Sequence, residues 1–301
     1  MKIKKPFRTG EDAAVDIVVA VIGVIVFLLT FYPFYYVLIV SLSEGIGAMA
    51  GSVYLFPSGF TLANYEFIVN SDVWRLAFGV SLLRTLLGTA SGVLFTLLVA
   101  YGLTRSNLRF KSFYYGMIIV SMYFSGGMIP FYFVLKTVGL LNKFGVYIVP
   151  GLLNIFLLII SVTFLRNDVS MEIQESAFID GANEWSVFWR IILPISTPLI
   201  ATLALFTAVG HWGAWLDSAY YVRDEKLRTV TYRMIQALNQ LQVNERDLNA
   251  ARAANQLGRL PISPRAATMA SIIISIAPIM AVYPFLQRYF IKGIALGALK
   301  G

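Results

Sequence analysis

The sequence predicts an all-α, polytopic membrane protein with six transmembrane helices. Three observations carry that expectation. Of the 301 residues 58% are hydrophobic and only 13% charged, against about 25% charged in ordinary soluble domains. Mean hydropathy is +0.72. The apolar residues gather in six long runs, parted by polar connections rich in Gly and Pro. The net charge of +8 does not form a dense basic stripe, because Lys and Arg flank the apolar runs; a nucleic-acid partner is excluded on that ground. With no cysteine there is no disulfide, thiolate metal site or cysteine nucleophile, and the single histidine, His211, leaves no histidine-based metal cluster.

The first run, 17–40, follows a basic start (Lys2, Lys4, Lys5, Arg8) and is too long for a signal-peptide core, so a retained anchor is expected. Pro33 should kink it, and Phe31, Tyr32, Phe34, Tyr35 and Tyr36 read as a packing face rather than an interfacial belt. A hydrophilic connection, 41–77, holds the turn residues Gly45, Gly47, Gly51, Pro57 and Gly59. The chain accordingly divides into an N-terminal part, 1–73, and a five-helix core domain, 74–301, starting near Trp74.

The second run, 78–103, carries small residues (Gly88, Ser91, Gly92) that let helices approach closely, so it should face other helices, while Arg84 near its end is expected to snorkel to the interface. The third, 113–135, is interrupted by Ser125, Gly126, Gly127 and Pro130. Such a break is tolerated only where the freed backbone groups meet protein or water, which fits a pathway lining and equally a packing kink. The fourth, 144–165, has Pro150-Gly151 near its start and Asn154 as its one amide. The fifth and sixth run over 191–216 and 266–290.

An even number of spans puts both termini on one side. The termini, the 104–111 connection and the segment between the fourth and fifth runs hold half of the 24 Lys and Arg, whereas the opposite short connections hold only Arg75, Lys136 and Lys143. By the positive-inside rule both termini are cytoplasmic.

Two polar stretches carry the functional reading. In 168–190, Ser170 is placed to cap a short helix, Glu172 and Glu175 suit its positive end, and Gly181 can supply the left-handed residue that stops it. Trp185, Phe188 and Trp189 then share one helical face, as at a membrane interface. The fifth run ends with His211, Trp212, Trp215 and Asp217. The two indoles suit a sugar ring, although an outer interfacial belt with a His-Asp surface pair is the reading preferred. No positioned nucleophile accompanies His211, and no phosphate-cradling loop is present, so neither hydrolytic catalysis nor ATP hydrolysis is expected of this chain.

Glu175, Ser176, Ala177, Asp180, Gly181 and Ala182, followed at a fixed gap by Ile191, Leu193 and Pro194, resemble the EAA signature of permease subunits of ATP-binding-cassette (ABC) importers, with Ser176 in place of the first alanine. The C-terminal QRYFIKGIALGALKG resembles the tail of maltose-type carbohydrate permeases, and the likeness covers most of 74–301. The resemblance implies the type I importer permease fold in the bacterial cytoplasmic (inner) membrane. It implies that Glu175–Ala182 is a coupling helix docking on an ATPase, and that ATP and Mg are bound by partner subunits, with no cofactor in this chain. It also implies a different second permease, two ATPase subunits and an extracytoplasmic solute-binding protein, together importing an oligosaccharide by alternating access. The outer loop 217–265 resembles the scoop loop of such permeases; Tyr232, Gln236, Asn239, Gln240 and Asn244 would meet the binding protein, while Ser125, Gly126, Gly127, Asn154, His211, Trp212 and Trp215 would line the substrate path. The competing class is an ion-coupled secondary transporter or channel, which predicts ionisable residues facing a midplane cavity; the apolar runs are nearly free of acids.

Overall fold

A computed structural model describes residues 10–44, 48, 53, 55–244 and 262–298. Among them the elements are all helical, apart from an isolated bridge between Ser43 and Phe60. The chain runs through α1 (Gly10–Ser41), the short α2 (Ala63–Asn70), α3 (Asp72–Thr104), α4 (Lys111–Tyr123) and α5 (Met128–Thr137). Two 3₁₀ turns, Phe144–Tyr147 and Val149–Gly151, lead into α6 (Ile155–Asn167) and α7 (Met171–Ile179). There follow α8 (Glu184–Ile195), α9 (Thr197–Gly213), α10 (Leu216–Tyr221), α11 (Val230–Asn244) and α12 (Pro264–Ala298).

Each of the six apolar runs becomes helical; Pro33 and the glycines of α3 are carried within unbroken helices, whereas the third, fourth and fifth runs break near Gly or Pro. α1, α3 and the first part of α12 are long and apolar enough, unbroken, to cross a membrane. The fourth run is a pair, the 3₁₀ turns and α6, bent by 44° just after Pro150-Gly151. The fifth is α8 and α9, bent by 81° at Ser196 between Pro194 and Pro198, where proline removes backbone donors, and loosened further by a π-turn at Phe188–Ile192. The third run parts into α4 and α5 at residues 124–127. Gly127 there has φ +79°, which a β-carbon disfavours, and Pro130 falls in the first turn of α5, where its missing N–H is harmless.

The described residues fall in two compact units, one within Met1–Val69 and Leu238–Ile274, the other within Asn70–Ala237 and Ser275–Gly301. In the first, Ile39, Val40, Val53 and Ala266 form the buried cluster, with Tyr35 and Tyr36 packed on it. Asn64 of α2 ties the end of α1 down by donating to the carbonyls of Ser41 (3.0 Å) and Ser43 (3.1 Å). The rest of α1 leaves its apolar side chains open, Phe31, Tyr32 and Phe34 included, so the expected aromatic packing face reduces to Tyr35 and Tyr36.

In the second unit α3 packs along α9 and α6. Leu97, Ala100, Leu158, Val187, Phe188, Ile192 and Leu203 are its innermost side chains. Lipid is as apolar as leucine, so this packing stabilises through close van der Waals fit rather than escape from water, and small residues decide how close the backbones come. Phe188 is 1% exposed while Trp185 and Trp189 lie open. The expected three-aromatic interfacial face is therefore split: a ring placed on the same side as its neighbours was drawn into the core, against Tyr101, by the π-turn that begins at it.

Candidate functional site

The helix ends within the polar stretch 168–190 are set by local interactions. Ser170 Oγ accepts from the Glu172 amide (3.2 Å) and starts α7, and Glu172 lies in its first turn, where the free N–H groups favour an acid. The helix stops at Gly181, whose φ is +84°; the Gly181 and Ala182 amides close back on the carbonyls of Phe178 (3.0 Å) and Ala177 (2.9 Å). Asn183 Oδ1 then accepts from the Ser186 amide (2.8 Å) and opens α8. Ala177, Phe178 and Ala182 pack against the core, and Gln174 is buried. Glu175, Ser176, Asp180 and Gly181 are exposed, beside Ile179, which is 85% exposed. Ile179 thus stands exposed beside Glu175 and Asp180 on a doubly capped loop.

A second site is assembled from distant residues. A cavity of about 510 Å³ is lined by α3, α5, the 3₁₀ turns, α6, α9 and α10. Its charged members are Arg84, 2% exposed, and Asp217. Arg84 grips both carboxylate oxygens of Asp217, one of them at 3.1 Å, donates to the Ala214 carbonyl (3.0 Å) and lies 4.6 Å from the centroid of the Tyr147 ring. The expected snorkelling of Arg84 is thus corrected: α3 starts several residues before the apolar run does, which places the guanidinium about 18 Å from the helix start, beyond its own reach. Burying it unpaired would cost several kcal/mol, and Asp217 answers that cost.

His211 does not form a surface pair with Asp217. It is wedged between α3 and the 3₁₀ turn at Gly151, so tightly that a β-carbon at Gly88 would lie 2.5 Å from Nε2. Asn154 lines the same cavity and caps α6, its Oδ1 accepting from the Leu157 amide (3.1 Å). Trp212 lies outside the cavity, 5% exposed, edge-on to Phe78 and donating to the Ser275 carbonyl (2.8 Å). Trp215 is half-buried ahead of α10 and lines neither cavity. The aromatic rings of the lining are instead Phe131, Tyr147, Phe156, Phe206 and Tyr221. Ser125, Gly126 and Gly127 line a second cavity of about 420 Å³, which shares Phe131 and Tyr221 with the first; those two rings meet edge to face at 5.7 Å and stand between the two spaces. Among the described residues no cluster of His, Cys, Asp and Glu is suited to hold a metal.

In α11, Tyr232 lies under the Arg228 guanidinium (4.4 Å) and Gln236 accepts from Arg233 (3.2 Å), while Asn239 and Gln240 are exposed. Asn244 is the last residue of α11, and the tip of the expected outer loop, 245–261, lies outside the described residues.

Residues 92–296 match the family described as binding-protein-dependent transport system inner membrane component. Over 273 residues, 91% of this chain and 90% of the relative, it is 37% identical to protein LplC of Bacillus subtilis. It is 33% identical over 269 residues, 89% of this chain and 92% of the relative, to the polygalacturonan/rhamnogalacturonan transport system permease protein YtcP of the same organism. A bacterial ABC transporter involved in the import of the acidic polysaccharide alginate has a chain, known from a crystal structure, that superposes with a TM-score of 0.84 at 27% identity, covering 95% of this chain and all of that one. A helical membrane frame with an outward-turned polar loop, matched over most of its length, places this chain in the family of inner-membrane permease components of binding-protein-dependent ABC transport systems.

Proposed function

We propose that this chain imports an oligosaccharide as one of two permease subunits, with α7 and Gly181 docking on a separate ATPase and the Arg84 cavity forming part of the substrate's path. The exposed, doubly capped loop with Ile179 at its edge is the observation that supports the reading most directly: nothing in a permease working alone needs it. The loop side and both termini then face the cytoplasm, and ATP and Mg belong to the partner. The residues of 217–265 face a solute-binding protein on the other side. Transport follows from alternating access: closure of the ATPase dimer pushes α7, and the two permeases exchange an inward for an outward opening.

The saccharide assignment draws on the relatives, whose names include melibiose, raffinose and stachyose import besides polygalacturonan, and on the cavity itself. Phe131, Phe206, Tyr147 and Tyr221 line it together with Thr96, Asn154, Thr207 and the Arg84–Asp217 pair, a mixture of rings and polar groups that suits a sugar's apolar face and hydroxyl edge. An ion-coupled carrier would need an acid free to exchange partners, and both oxygens of Asp217 are engaged by Arg84.

Purification from the native membrane tests the reading. The expected outcome is a copurifying ATPase of separate sequence and, after reconstitution with the binding protein, ATP-dependent uptake of a saccharide. Uptake by this chain alone, driven by an ion gradient, would sink it.

A further inference from the structure

Away from the cavity, one cation ties the exposed loop to the helical frame. Arg105 directly follows α3 as its C-cap. Its guanidinium donates through Nη1 to Gln174 Oε1 (2.9 Å), stands 3.1 Å from Glu184 Oε1 through Nη2, and lies against the rings of Phe178 (4.9 Å to the centroid) and Tyr101 (5.5 Å). Gln174 and Phe178 belong to α7, and Glu184 opens α8. Tyr101, one turn back along α3 and 7% exposed, donates its hydroxyl to the other carboxylate oxygen of Glu184. Lys111 Nζ fixes the backbone at the same point by donating to the Arg105 carbonyl (3.0 Å). One planar, five-donor group therefore holds both halves of the loop to the end of α3.

We propose that Arg105, with Tyr101 and Glu184, is a clamp that makes α7, α8 and α3 move as one body, so that a push on the loop reaches the cavity wall. This rests on the reading of α7 as the ATPase-docking element. α3 is the shaft of the device. It is one unbroken helix of 33 residues, and the same helix lines the cavity with Thr96, Gly92 and Arg84, about 14, 20 and 32 Å from Arg105 at 1.5 Å per residue. Ala177 and Phe178 also touch the core, but apolar contacts permit sliding, whereas a forked guanidinium bonded to two helices and stacked on two rings fixes their relative position. Lysine keeps the charge and loses the fork and the stack, which makes Arg105→Lys the informative change.

The quantity to read is saccharide taken up per ATP hydrolysed, measured in proteoliposomes holding the whole transporter and its binding protein. In Arg105→Lys and in Glu184→Gln this ratio should fall about tenfold, equivalent to about 1.4 kcal/mol of coupling, and the double variant should be no worse than either single one, because both act through one link. A residue needed only for folding would lower the yield of complex and leave the ratio of the surviving fraction unchanged. Tyr101→Phe removes a single hydroxyl and covers the case in which the charged variants fail to assemble; its ratio should fall about threefold, as expected for a partial coupling loss. Unchanged ratios in the assembled variants, or losses from Arg105 and Glu184 that simply add, overturn the clamp. A wild-type complex that shows no ATP-dependent uptake overturns the docking reading instead, and does so before any variant is compared.

Discussion

The caps that shape the α7–α8 loop and the groups that shape the Arg84 cavity differ in how far apart they lie along the chain, although Arg105 and Tyr101 reach the loop from α3. In the loop Ser170 caps two residues on, Asn183 three residues on, and Gly181 closes back on the preceding turn. In the cavity the central pair, Arg84 and Asp217, is separated by 133 residues, and His211 fills a notch that only Gly88 and Gly151 together leave open. Local geometry survives when the surroundings shift, so the loop suits a part that is pushed. Long-range geometry exists only when the whole bundle is assembled, so the cavity suits a part whose shape reports the state of the bundle.

If that contrast is right, damage to the cavity is felt in stability and damage to the loop in coupling. The largest effect should come from Asp217→Ala, which leaves Arg84 buried and unpaired at a cost of about 3–5 kcal/mol. A marked fall in the melting temperature of the detergent-purified protein is expected, and replacing both partners by apolar residues, Arg84→Met with Asp217→Leu, should restore much of it. An Asp217→Ala protein that melts like the wild type would break the comparison. Gly88→Val comes next: it drives a side chain into His211, and overpacking of this kind costs about 1–3 kcal/mol. The loss should shrink when His211→Ala makes room, a rescue that a remote cause for the instability would not produce.

Gly181→Leu should act differently. No atom lies within 4 Å of the place a β-carbon would take, so nothing clashes inside the chain, and the φ of +84° adds strain of about 1–2 kcal/mol that a surface loop absorbs. The protein should insert and melt nearly as before, while uptake is lost and ATP turnover continues. Loss of the folded protein would show that the loop is as globally supported as the cavity. The smallest disturbance is Ser125→Cys in this naturally cysteine-free chain. Its thiol should react with a water-soluble maleimide at a rate that ATP and substrate change, with uptake nearly unaffected; a rate identical in every state would reduce the second cavity to a packing kink.

The same contrast explains which features are legible in the sequence. The caps at Ser170 and Gly181 were legible because their partners lie within a few residues, and the six apolar runs because period and length speak for themselves. The bends at Pro150-Gly151 and at Pro194 to Pro198 were signalled by those residues, but their 44° and 81° were not, since an angle depends on the helices packed against it. His211 and Asn154 stood out as polar groups in apolar runs and do line the cavity. Trp212 stood out just as strongly and lies in the core, because an indole is mostly apolar and needs only one acceptor. Arg84 was misplaced for want of the true start of α3. Tyr147, Tyr221 and Phe131 gave no signal at all, being three aromatics among many; only the depth of Arg84 in its helix could have prompted a search for a carboxylate and rings around it.

The separation of Arg84 from Asp217 also bears on how the protein is made. At about 5–20 residues per second of synthesis, the 133 residues between them take on the order of ten seconds to appear. Throughout that interval α3 has left the ribosome with a guanidinium in its middle and no counter-ion yet in existence. A lone arginine near a helix centre costs about 2.5–3.5 kcal/mol by translocon-insertion scales, a penalty the many apolar side chains of α3 outweigh but do not remove. Until α10 delivers the carboxylate, α3 is held less firmly than in the finished bundle. One ion pair thereby ties the final seating of an early helix to the synthesis of a late one.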